Sequence, residues 1–371
     1  MNKKEISEIR KQFTPERCTI SRICGCYVDG DKNIKMKMAR SFLTLAEEEI
    51  HKYLDIFKKT LSGTLDKNLM NLDFDLAQEE EGGFQHFLMQ LRSCRLEDED
   101  LLDDFYDRII THFQYGENYL ILLIHAAYDI PGASSDGFGL EDASDDVYSH
   151  LLCSICPVNL SKAALSYLPD ENVIGDRLRD WVVEMPLSGF LFPAFTDRTT
   201  DIHSMLYFSK NPEQLQPALI EELFGCTPPL TAGTQKDSFH ALIEQTLEES
   251  CDYETVLTIH EKLDELVQAQ KDEPDPVVLS QPEVRRLLED SGVSGDRLED
   301  FEEQCRLTAG SSPSWAAVNL LPAKTQIHTP DITVHVSNDK AALVETRQID
   351  GRRCLVIPIE GEVEVNGIHI Q

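Results

Sequence analysis

The chain has 371 residues, enough for two or three domains with sizeable cores. Its 34 Lys and Arg face 66 Asp and Glu, a net charge of −32 that repels phosphate at long range and disfavours nucleic acid as a partner. No segment reaches the roughly 20 apolar residues that span a bilayer, and "MNKKEISEIRKQF" lacks the apolar centre of a signal peptide. The expectation is therefore no membrane role, a cytoplasmic location and ten cysteines kept as reduced thiols.

The N-terminal stretch reads as a short amphipathic helix with Ile6, Ile9 and Phe13 on one face. "TISRICGCYV", the turn cluster "DGDKN" and "IKMKMAR" read as a hairpin. A helix follows, with Thr44 and Glu47 as a capping box and Ile50, Tyr53, Leu54, Phe57 and Leu61 as its apolar stripe. After a polar loop come "GGFQHFLMQLRSC" and "EDEDLLDDFYDRIITHF", two more helices. The second has acidic residues in its first turn, where the helix dipole favours them. "NYLILLIHAAYDI" is a buried strand ending at Pro131. The loop "PGASSDGFGLEDASDD" leads to a strand "HLLCSICPV", and "WVVEMPLSGFLFPAF" and "IHSMLYFSK" follow, joined by "TDRTTD".

From Asn211 the pattern turns helical. "NPEQLQPALIEELFG" carries Pro212 early and Gly225 after its end. "DSFHALIEQTLEESC" and "DYETVLTIHEKLDELVQAQ" form a helical hairpin. The Pro-rich "QKDEPDPVVLSQP" reads as a linker. Two short helices, "PEVRRLLEDSG" and "GDRLEDFEEQC", precede a meander of "DITVHV", "ALVETRQI", "RRCLVIPI" and "EVEVNGIHI", with Asp350-Gly351 as a two-residue hairpin turn.

These elements predict an α+β fold: an antiparallel or mixed sheet of five or six strands packed with helices, a helical segment, and a small C-terminal domain ending in a β-meander. The expected division is an α+β domain over 1–210, a helical segment over 211–270, a linker over 271–282 and a small domain over 283–371.

Four features bear on chemistry. Cys24 and Cys26 alternate onto one face of a strand, as two ligands of one ion require, whereas Cys153 and Cys156 fall on opposite faces. Paired core thiols are the expectation, with no metal assigned. In "FTDRTTDIH", Asp197, Arg198, Asp201 and His203 gather two carboxylates, a cation and an imidazole on one turn, a candidate ligand site that Asp129 could join. The plainer reading of that turn is a solvated β-turn, in which Asp and Thr serve local hydrogen bonds. The loop "GASSDGFG", with Asp136, is neither a Walker loop nor a dinucleotide fingerprint, so no cofactor is expected. Trp315 reads as a lid on the core of a small domain.

"MNKKEISEIRKQFTPERCTISRICGCYVDGDK", "LLCSICPVNLSK" and "HTPDITVHVSNDKAALVETRQIDGRRCLVIPI" together resemble a bacterial family, domain of unknown function 4317, over the whole chain. The resemblance implies a bacterial cytosolic protein and brings no catalytic residue, cofactor or partner. In outline alone, the α+β body with a terminal β-meander is similar to nucleoid-associated proteins. Three functions follow. The first is a non-enzymatic binding or scaffold protein that takes a protein partner, for instance at a free strand edge. The second is a metal-dependent hydrolase or nuclease built on the Asp197–Asp201–His203 turn. The third is nucleoid association through a basic face of Lys32, Lys35, Lys37, Arg352 and Arg353, against which the net charge argues.

Overall fold

The computed structural model describes residues 1–133, 139–170, 172–310, 313–322, 324–358, 361, 363–365 and 368–370. The chain forms two compact units, Met1–Thr231 and Ala232–Gln371.

The first unit is built on one antiparallel sheet. Its elements run α1 (Lys3–Arg10), β1 (Arg22–Val28), β2 (Ile34–Ser41), α2 (Glu47–Thr60), β3 (Leu69–Asp73), α3 (Phe84–Ser93), α4 (Glu99–His112), β4 (Tyr119–Ala133) and β5 (Gly139–Leu160). They continue with β6 (Leu165–Leu168), β7 (Val173–Asp176), β8 (Trp181–Val183), β9 (Ser188–Phe192), β10 (Ala194–Thr196), β11 (Thr199–Asp201) and β12 (Ser204–Ser209). The sheet order is β2-β1-β4-β5-β9-β12-β3, with β8 attached to the end of β5.

Helices cover both faces of this sheet. Under one face, Phe87, Leu88 and Leu91 of α3 and Phe105 and Ile109 of α4 meet Cys24, Cys26, Ile121, Cys153 and Phe190. Under the other, Ile6 and Ile9 of α1 and Leu54 and Phe57 of α2 meet Leu122, Leu152, Cys156, Leu191 and Phe208. Burial on both sides explains why the central strands read as continuous apolar runs instead of alternating ones. α1 is fixed at its start by a capping box, Asn2 with Glu5. α2 has none: Ala46 stands at its N-cap, and Thr44 Oγ1 donates to the Ser41 carbonyl, so the expected Thr44–Glu47 box does not form. Gly189 lies where a Cβ would sit 2.4 Å from the Cys153 carbonyl, so β9 and β5 approach only because that position has no side chain.

Two strands depart from the sequence reading. β3 lies within what read as a polar loop; only Leu69, Met70 and Leu72 of its five residues are buried, too short a pattern to stand out. β4 runs past Pro131 to Ala133, and β5 starts at Gly139, with register shifts at Ile130, Pro131 and Gly132 absorbing the proline. Most of the presumed loop is therefore a long ribbon.

The second unit has α5 (Ala232–Leu247), α6 (Tyr253–Ala269), β13 (Val278–Ser280), α7 (Gln281–Asp290), α8 (Phe301–Ala309), β14 (Ser314–Ala316) and α9 (Ala317–Leu320) around its own core. Trp315 is at the centre of that core, fully buried, edge-on to Phe239 and donating from Nε1 to Ser238 Oγ at 3.0 Å. The stretch 271–282 belongs inside this unit and is not a linker between domains. Leu279 is buried, β13 pairs with β14, and Ser280 caps α7 in a box with Glu283. The chain divides instead at Thr231. The C-terminal strands form separate hairpins: β15 (Thr325–His328) with β16 (Thr333–Val336), β17 (Glu345–Ile349) with β18 (Arg352–Val356), and β19 (Val363–Val365) with β20 (Ile368–Ile370). Asp350 and Gly351 both take positive φ, 51° and 77°, as the two-residue turn between β17 and β18 requires.

Candidate ligand-binding site

The cysteines form no site. Cys24, Cys26 and Cys153 face the α3–α4 side of the sheet and Cys156 faces the α1–α2 side, as a period of two dictates for residues three apart. Burial pushes the Cys24 and Cys26 thiols up to about 11 and Cys156 up to about 12, so all stay protonated at neutral pH. All ten cysteines are free, and among the described residues no three His, Cys, Asp or Glu side chains are placed to hold a metal.

The "DRTTD" turn is a hairpin tip whose functional groups serve the fold locally. Asp197 and Arg198 occupy left-handed φ, 51° and 56°, at the turn between β10 and β11. The Asp197 amide donates to Glu5 Oε1 at 2.7 Å, and Arg198 pairs with Glu8 at 3.2 Å. Asp201 accepts from the His203 amide and from Ser204 Oγ, an Asx-type turn. His203 Nδ1 lies 2.6 Å from Glu79, and this hydrogen bond raises the imidazole pKa. Asp129 is exposed on β4. Asp197 (through its amide), Arg198, Asp201 and His203 are thus engaged with different neighbours, and Asp129 stands apart from them on β4. Asp136 and the side chain of Arg353 lie outside the described residues. On the first hairpin, Lys35 and Lys37 are each held by a carboxylate at 2.7 Å, Asp29 and Asp103. Lys32 donates to the Thr111 carbonyl. Little cationic charge is left there for a phosphate backbone.

Among the described residues, a chemically loaded concavity lies in the second unit and has no sequence motif. A cavity of about 950 Å³ is lined by α5, α6, the α9 end and the β15–β16 hairpin. On α6 the lining residues are Tyr253, Val256, Leu257 and His260, one stripe at helical spacing. The core-facing stripe of the same helix is Ile259 and Leu263. α5 contributes Lys236 and His240, one turn apart, and the hairpin contributes Ile327, His328 and His335 beside Lys324. Six basic side chains therefore converge, and among the described residues that line the cavity there is no Asp or Glu.

The electrostatics follow from that crowding. His260 Nδ1 is buried and makes no hydrogen bond. Burial lowers the His260 pKa, and the nearby charges of His240 and Lys236 lower it further. His240 is lowered mainly by burial and then by Lys236, with Asp237 and Glu244 opposing. His328 is oriented by Thr333, whose hydroxyl lies 3.0 Å from Nδ1. Tyr253 donates its hydroxyl to the Ala341 carbonyl, leaving the ring to form wall. The result is an apolar-walled pocket with cationic and imidazole N–H donors and no anion of its own.

The sequence reading missed this pocket because its residues span Lys236 to His335 without fixed spacing. The only legible trace was the second apolar stripe of α6, 253-256-257-260, left over once 259 and 263 are assigned to the core.

A family model described as a domain of unknown function, DUF4317, matches residues 1–368. The chain belongs to that family. No curated protein and no solved structure matches it. Membership of DUF4317 thus extends over both units and leaves the reading of the pocket to its chemistry. Among the described residues no helix is long and apolar enough to cross a membrane.

Proposed function

We propose that this is a non-catalytic binding protein whose second unit takes a small organic anion with an apolar body. One observation carries the reading: six basic side chains surround one cavity, without a lining carboxylate, in a chain of net charge −32. Lys236 and Lys324 are cations there, and burial together with Lys236 disfavours the charged form of His240 and His260, a cost that a bound anion offsets. The apolar walls from Val256, Leu257, Leu320 and Ile327 favour a ligand with a hydrocarbon or aromatic portion. Ten cysteines without a disulfide among them fit a cytosolic setting.

The test is calorimetric titration and thermal shift of the full chain with benzoate, hexanoate and phenyl phosphate, with benzamide as the uncharged control. At least one anion binds and raises the melting temperature, by about 2.7 kcal/mol of stabilisation at a hundredfold excess over Kd, while benzamide does not. Lys236→Ala and His260→Phe each abolish the shift. Anion binding favours the imidazolium form, and burial holds His240 and His260 below the ordinary histidine value, so affinity keeps rising as pH falls below about 6.5. If all three anions behave as benzamide does, the reading is wrong.

A further inference from the structure

The first unit carries an element that its own core does not use. Beyond the sheet, β5 and β8 continue as a two-stranded arm: Val158 to Leu160 pair with Val183 to Trp181, the Ser161 amide donates to the Asp180 carbonyl while Ser161 Oγ accepts from the Asp180 amide, and the Arg177 amide donates to the Ala164 carbonyl. β6 and β7 complete the arm and pair only with each other. A strand rise of about 3.3 Å per residue gives it a reach of roughly 35 Å.

Its side chains are of the wrong kind for a free ribbon. Leu178 is 83 % exposed, Leu165 75 %, Ile174 65 % and Trp181 57 %, with Tyr167 and Val182 also exposed. Isolated two-stranded hairpins are marginal in water, and soluble monomers rarely expose contiguous apolar surface of this size. Side chains of these sizes and exposures together present on the order of 800 Å², about what one partner contributes to a standard interface.

Charge identifies the occupant. The distal arm, residues 165–176, contains Asp170, Glu171 and Asp176 and no Lys or Arg, while Arg177 and Arg179 follow toward the base. At the base of the arm, two residues past β8, Met185 borders a shallow groove of about 360 Å³ whose other walls are Arg10, Asp55, Lys58, Lys59 and Ser62. Among the described residues, none of Arg10, Lys58 and Lys59 is in an ion pair. An arm with an acidic tip and a basic base is self-complementary when two copies lie antiparallel. Each tip then meets the other's base, and the apolar lengths between them cover one another.

We propose that the arm is a homodimerisation element, two copies of this chain laying their arms antiparallel with each acidic tip in the partner's basic groove. Such a contact is isologous and closes after two copies.

Sedimentation equilibrium of the full chain tests this. The wild type is expected to be a dimer at about 10 µM, weakening as salt rises because the end contacts are exposed ion pairs. Ile174→Glu with Leu178→Glu weakens dimerisation by at least about tenfold. Asp170→Lys and Lys59→Glu each weaken it, and the two together in one chain restore part of the loss. All these residues lie at the surface, so unchanged circular dichroism certifies the fold of each variant. A wild type that stays monomeric up to about 100 µM overturns the proposal, even if the arm then captures lipid vesicles or another protein. So does a dimer indifferent to the arm substitutions.

Discussion

Each unit contains a histidine with a buried ring nitrogen that finds no partner, and the surroundings of the two differ completely. In the first unit, neither nitrogen of His150 makes a hydrogen bond; the ring stacks on Tyr148 at 4.7 Å and meets the edge of Phe13, with the Tyr148 backbone alongside. Burial depresses its pKa to about 3. In the second unit, His260 faces a cavity ringed by other basic groups. An unsatisfied nitrogen among packed aromatic rings is a cost that the core absorbs. The unsatisfied nitrogen of His260 is just as buried, but its ring lines a cavity beside Lys236 and Lys324. Burial alone does not separate the two cases; space and the sign of the neighbouring charge do.

The comparison can be broken in several ways. The largest effects come from the cores themselves. Phe190→Ala in the first unit and Trp315→Ala in the second each remove a fully buried ring and are expected to cost about 3–5 kcal/mol in urea denaturation. If Trp315→Ala costs far less, the second unit lacks the packed frame its pocket needs.

Gly189→Ala comes next. The added Cβ meets backbone at Cys153 and the Thr60 methyl at 2.7 Å, neither of which can rotate away freely, so a loss of about 1–3 kcal/mol follows. Gly25→Ala serves as its control, because there the nearest atom is the flexible end of Met38 at 3.0 Å, and a smaller loss is expected.

His150→Phe goes the other way. It removes two unsatisfied nitrogens while keeping the ring, and should stabilise by about 1–2 kcal/mol at neutral pH. The pH dependence sharpens this test. His150 and His125 have folded pKa values lowered to about 3 and about 4, in both cases first by burial. The unfolded chain therefore binds protons that the folded chain does not. Stability is held above the unfolded value near about 6.5 and is lost as pH falls below it. His150→Phe should flatten that acid limb, and an unchanged slope would mean the ring is already solvated.

The smallest effect belongs to the turn between β10 and β11. His203→Ala should leave the thermal midpoint as it is, since the ring pairs with Glu79 at the surface. A melting temperature raised by manganese in the wild type and not in His203→Ala would reinstate the turn as a site.

Much of the architecture was readable because it rests on local pattern. The central strands are apolar runs bounded by turn residues, the helices carry clean stripes, and Asp350-Gly351 names its own turn. What escaped was decided at a distance. β3 is a strand because β12 offers it an edge, and its five residues alone say little. The first half of β5 read as a loop from its Ser, Gly and Asp content, yet its backbone is paired by β4. The pocket needed four separate elements brought together before His240, His260, His328 and His335 meant anything as a group. In the candidate turn only the Asp201 bonds to His203 and Ser204 are local; Asp197, Arg198 and His203 reach Glu5, Glu8 and Glu79, partners that the sequence does not place beside it.

The pair Cys153 and Cys156 has one more consequence. Three residues apart in the chain, they stand in the two separate layers of the first unit, one beneath α3 and α4 and the other beneath α1 and α2. A thiol reagent reaches each only when its own layer opens. Their labelling rates are thus two independent clocks on a single strand. Comparing them would tell which helical layer lifts first, without introducing any probe into the protein.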